Sequence, residues 1–91
     1  MIASVRGWLS RLRRIRAAEQ RARLAFAQTD DGPVHWTGVI RTDEHNTVVR
    51  VCYGSTRPAF RRWYSVPTTE DDPIRELSFE DVEPMGERPW R

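Results

Sequence analysis

Thr47-Val48-Val49-Arg50-Val51-Cys52-Tyr53 is the most strand-like run in the chain. β-Branched and aromatic residues dominate it, and these suit a pleated, half-buried surface. Successive side chains on a strand point to opposite faces, so Val49, Val51 and Tyr53 share one face and Val48, Arg50 and Cys52 the other. The first set is wholly apolar and the second is mixed. That is the pattern of an antiparallel sheet packed on one side and open on the other.

The same period of two holds on both sides of this run. Residues 34–41 read as a strand, joined to it by the turn Thr42-Asp43-Glu44-His45-Asn46. Gly54-Ser55-Thr56-Arg57-Pro58 turns the chain into a third strand at 59–66. An acidic loop at 67–73 leads to a fourth strand at 74–82, and Pro84, Gly86 and Pro89 make the tail irregular. Short links between consecutive strands predict an up-and-down antiparallel meander. Even alternation places Trp36, Ile40, Val49, Val51, Tyr53, Phe60, Tyr64, Val66, Leu77 and Phe79 on the packed face. His35, Thr37, Val39, Val48, Arg50, Cys52, Arg61, Trp63 and Ser65 fall on the open one. A slip of one residue in any strand exchanges the two sets.

Before Pro33 the period is 3.6. Val5, Leu9, Leu12 and Ile15 follow helical spacing, Ala22 and Phe26 resume the stripe, and alanines fill the second half. Gly7 is the weak point, where a bend would fold the helix back onto the core. Gly32 and Pro33 end the pattern. The expected architecture is α+β: a basic amphipathic helix at 1–28, an antiparallel β-sheet of four strands at 33–83 and an irregular tail at 84–91, all one domain. A small SH3-like barrel with an N-terminal helix is the alternative. At 91 residues such a domain buries only about 60–65% of its unfolded surface. Four Trp, three Phe and two Tyr supply the bulk that a small core needs.

Charge is divided unevenly. Residues 1–28 carry seven arginines against Glu19 alone, a net +6, whereas residues 29–91 carry eight arginines against twelve carboxylates, a net −4. Every basic residue is Arg; base composition of the gene is the plainer reason for that, although Arg is also the better bidentate partner for phosphate and carboxylate. One cysteine excludes an intrachain disulfide, and no secretory or membrane-spanning stretch is evident. These features predict a reducing, cytoplasmic setting.

A continuous helix of about 27 residues is about 40 Å long, against about 27 Å for an eight-residue strand. The first ten residues would therefore overhang the sheet while holding Ile2, Val5, Trp8 and Leu9. Grouped, exposed apolar side chains mark interaction surfaces. Val5, Arg6, Trp8, Leu9, Arg13 and Arg16 are accordingly the candidate partner-binding residues. The partner would be another protein or a second copy of this one, then nucleic acid, and least of all an anionic membrane surface.

His35, Arg50, Arg61 and Trp63 form a second candidate surface on the open face, where cations and aromatics interleave as in single-strand nucleic-acid binders. The plainer reading pairs Arg50 and Arg61 with Glu76 and Glu80 and covers Trp63 with the tail. No catalytic constellation is visible. His35, His45 and Cys52 do not have zinc-ligand spacing, a lone mid-strand cysteine is usually a packed residue, and the glycines are scattered singly. No catalytic residue, metal or cofactor is expected. The functional expectation is a small non-enzymatic protein-binding or adaptor module. A nucleic-acid-binding protein and a small phage or mobile-element inhibitor are the alternatives.

Overall fold

The computed structural model describes residues 2–54 and 60–88, with side chains described from Gly7 onward. Helix α1 (Ile2–Ala25) is followed by strands β1 (Gln28–Thr29), β2 (Gly32–Thr42), β3 (Asn46–Tyr53), β4 (Phe60–Pro67) and β5 (Arg75–Leu77). A short helix α2 (Phe79–Val82) and a single 3₁₀ turn (Glu83–Met85) complete the chain. The strands pair antiparallel in sequence order and curl into a half-barrel. The chain is therefore α+β as expected, with five strands rather than four. The extra strand, β1, forms where the helix was expected to run on to residue 28: Gln28 and Thr29 pair back with Pro33 and Gly32 across a tight turn. Gly32 takes a φ of 107° there, a conformation that costs glycine nothing.

α1 lies on the sheet through its smallest residues. Ala18 and Ala22 are buried against Val49, Val51, Tyr53, Tyr64 and Val66, with Phe26, Val34, Val39 and Ile74 at the margin. Small side chains allow close approach of helix to sheet, and polar contacts fix the rotation. Thr37 Oγ1 donates to Glu19 at 2.6 Å, and the Arg21 guanidinium donates to the carbonyls of Pro67 and Asp72. At the helix end Phe26 stacks on Tyr64 with ring centroids 4.2 Å apart, and Tyr53 Oη donates to the Phe26 carbonyl. Burial pushes both tyrosine hydroxyls above their ordinary pKa, so both stay protonated and can bond to each other.

The parity of β2 departs from even alternation. Val34 pairs with Tyr53 but Trp36 with Cys52, and Val39 with Val49 but Arg41 with Val48. His35 and Ile40 are thus extra residues at bulges. The first bulge sends Thr37 and Val39 to the helix side, and Trp36 to the opposite side over Arg50. Ile40 and Phe79 join a second core, built from Val48, Trp63, Leu77 and Val82 with Met85 at its edge. The expected placement of Trp36, Ile40, Leu77 and Phe79 beneath α1 is corrected accordingly. So is that of Thr37 and Val39 on the open face.

The fourth expected strand is also shorter than its reading. Only Arg75–Leu77 pairs, with Trp63, Tyr64 and Ser65, and the chain then turns into α2. Ser78 opens that helix: its backbone N–H and hydroxyl both donate to the Asp81 carboxylate, and the Asp81 N–H donates to the Ser78 carbonyl, turning the chain out of the strand. Those bonds hold the Asp81 carboxyl below the usual aspartate range. Its contribution is present at neutral pH and is lost only as pH falls through that lowered value.

α1 runs unbroken through Gly7, and an added Cβ there would meet nothing within 4 Å. Gly7→Ala is therefore expected to stabilise this part of the helix by roughly 0.5–1 kcal/mol, the ordinary helix-interior difference between the two residues. Slower amide exchange over the flanking turns would show it; faster exchange would mean that the helix breaks at Gly7.

Candidate functional site

The burial of one helical stripe changes steadily along α1. Trp8, Ile15 and Ala22 are spaced by seven residues, close to two full turns, so they lie on nearly the same face. Ala22 is fully buried, Ile15 half-buried and Trp8 63% exposed. The stripe that packs on the sheet thus continues beyond it. A 24-residue helix is about 36 Å long, whereas the eight residues of β3 reach about 27 Å. Leu9 beside Trp8 is 42% exposed.

Cations surround this end. Arg11, Arg13 and Arg16 are exposed, and none has a hydrogen bond or ion pair among the described residues. Of the six residues expected to bind a partner, Trp8, Leu9, Arg13 and Arg16 are exposed on this segment; the side chains of Val5 and Arg6 lie outside the described residues.

The face expected to be open is covered at its centre. α2 and the 3₁₀ turn pack over Trp63, whose ring lies 5.9 Å from that of Phe79 and is only 9% exposed. Beyond the turn, Gly86 adopts a φ of 102° and directs the following residues back across the sheet. Glu87 is the residue that sequence reasoning missed. Its carboxylate accepts two bonds of 2.9 Å from Arg50 and one of 2.7 Å from Trp63 Nε1. Arg61 donates to the Arg88 carbonyl and lies over the Trp63 ring. Of the four residues expected to form an open binding surface, Arg50, Arg61 and Trp63 are gathered under this strap, while His35 sits exposed at its bulge.

The expected charge partners are corrected too. Arg50 pairs with Glu87 rather than Glu76 or Glu80, and Glu76 lies 3.8 Å from Arg62, whose closer partner is Asp31 at 3.1 Å. The carboxylates of the sheet half are thus partly neutralised within the sheet, and Arg11, Arg13 and Arg16 of α1 are left to the solvent.

Cys52 is buried between Trp36 and Arg61 on the neighbouring strands, and desolvation pushes its thiol above the ordinary value. A buried, protonated thiol is a poor nucleophile. Among the described residues no three histidines, cysteines or carboxylates are grouped so as to hold a metal ion, and no helix is long and apolar enough to cross a membrane. Pro89 of the expected irregular tail and residues 55–59 of the expected turn and third strand lie outside the described residues. Comparison with protein-family models, with curated proteins and with solved structures finds no match for this chain.

Proposed function

We propose that the protein is a non-enzymatic binding module that docks an acidic surface of a partner protein through the projecting part of α1. The observation that carries this reading is the exposure of Trp8 on the continuation of the stripe that forms the core, with Leu9 exposed beside it. A large aromatic next to an aliphatic side chain and a ring of arginines has the composition of an interface hot spot. Arg11, Arg13 and Arg16, exposed and without a partner among the described residues, select for carboxylates opposite. A second copy of the chain is the poorer fit, because pairing two such helices sets fourteen arginines against two copies of Glu19. Like charges at that density oppose association.

Nucleic acid is the second reading, and the three exposed arginines at Arg11, Arg13 and Arg16 favour it. Against it stand the net −4 of the rest of the chain and the burial of Trp63, which removes that ring as a stacking platform. Light scattering at low and high salt, with and without mixed-sequence nucleic acid, separates the readings. A monomer whose mass nucleic acid does not change supports the protein-docking module. A heavy species that forms with nucleic acid and reverts in salt would transfer the site to the second reading.

A further inference from the structure

A cleft of 440 Å³ runs between α1 and the adjoining ends of β3 and β4. Its apolar lining includes Ala17 and Leu24 on the helix and Val66 and Pro67 on β4, and Leu24 is 73% exposed. Arg13 and Arg14 stand at its helix side. Arg14 Nε is buried and has no hydrogen-bond partner among the described residues. A buried donor in that state is costly, and an acceptor supplied by a ligand would relieve it. Arg21 also lines the cleft, and its bonds to the Pro67 and Asp72 carbonyls fix its position without cancelling its charge. Three arginines thus face one carboxylate, Glu70.

We infer that this cleft takes a peptide segment of the partner, one that presents a large apolar side chain with a carboxylate beside it. The apolar side chain lies over Ala17, Val66 and Pro67, and the carboxylate accepts from Arg13 and Arg14. Charge-assisted bonds of this type are short and strong, and Arg suits them geometrically. The chemistry favours a peptide over nucleic acid. Among the described residues no aromatic ring lines the cleft for a base to stack on, and Glu70, with Asp71 and Asp72 next to it in sequence, repels a continuous phosphate chain. A peptide can place its carboxylates at the arginines and leave the Glu70 side neutral. This inference rests on α1 being a docking helix, and adds a second contact distinct from Trp8 and Leu9.

Its test is a displayed library of random short peptides panned against the intact chain, with the enriched peptides then labelled and titrated by fluorescence anisotropy. Enrichment of Asp or Glu beside Leu, Ile, Phe or Trp is expected. Binding should weaken about tenfold in Arg14→Gln, the loss expected from one charge-assisted hydrogen bond. It should be lost in Ala17→Phe, which fills the cleft from an exposed helix position and leaves the core untouched. Leu9→Glu should retain peptide binding, because Leu9 does not line the cleft. No enrichment, enrichment of basic peptides, or full binding by Ala17→Phe would each overturn the inference. Binding lost in Leu9→Glu but kept in Ala17→Phe would overturn the cleft alone and leave the projecting end as the docking site. Competition by an oligonucleotide that Ala17→Phe also abolishes would assign the cleft to nucleic acid instead.

Discussion

Glu87→Ala is expected to destabilise the fold by about 3 kcal/mol, the range found when one partner of a largely desolvated charge pair is removed. The side chain of Glu87 is 9% exposed and holds two groups at once, Arg50 and the Trp63 indole N–H. Alanine leaves a half-buried guanidinium, whose Nε already lacks a partner among the described residues, and a buried indole N–H without an acceptor. For a domain whose whole stability is of the order of 5–15 kcal/mol, that is a large fraction. Urea unfolding would read the loss directly. Glu87→Gln, which keeps an acceptor but not the charge, should lose less. The double substitution Arg50→Met with Glu87→Met should recover much of the deficit, because it leaves neither charge stranded. A change below about 0.5 kcal/mol for Glu87→Ala, the size of an ordinary surface substitution, would mean that the strap does not hold this face.

The second large effect is on binding and leaves stability alone. Leu9→Glu and Trp8→Ala should each weaken partner binding by about 2 kcal/mol or more, roughly thirtyfold in Kd, as truncation of a central anchor does. Both residues lie beyond the part of α1 that packs on the sheet, so unfolding midpoints should stay near those of the unaltered chain. Charge reversal at Arg16, which does not line the cleft, should act differently, slowing association and reducing its salt dependence more than it speeds dissociation. Loss of stability in Leu9→Glu would show instead that the projecting turn completes the core.

The parts of this fold that depend on local pattern were legible in the sequence, and those set by distant partners were not. β3 announces itself, because β-branched and aromatic residues dominate its seven-residue run and both its neighbours pair with it along most of its length. An overhang of α1 follows from its length alone, and that length singles out Trp8 and Leu9 in the sequence. Even alternation misassigns the faces of β2, because its bulges at His35 and Ile40 fall on residues with no local mark of a bulge. Each bulge is stabilised by what it allows, the burial of Val39 under α1 and of Ile40 in the second core. The turn into α2 did carry a signal, Ser78 followed three residues later by Asp81, but the apolar alternation of Ile74, Leu77 and Phe79 masked it. Glu87 had no signal at all. Its partners lie 37 and 24 residues away, and only the folded sheet brings them together.

The covering of Arg50 and Trp63 also explains why the basic character of the chain is concentrated in α1. The sheet spends its carboxylates on its own arginines, Asp31 on Arg62 and Glu87 on Arg50, so the helix has few internal counterions. Its only acid, Glu19, accepts a bond from Thr37 and faces the sheet. The projecting end is left with an apolar centre and a positive rim, which is the combination an acidic protein surface complements.

The most direct test is photo-crosslinking from position 8. A benzophenone side chain replacing Trp8 in the intact chain, irradiated in the cells that produce it, should give one discrete protein adduct. That adduct should disappear with Leu9→Glu, and should not form when the same group replaces Glu44 in the exposed β2–β3 turn. Adducts to nucleic acid, the same adducts from both positions, or no adduct from position 8 would contradict the docking role of α1.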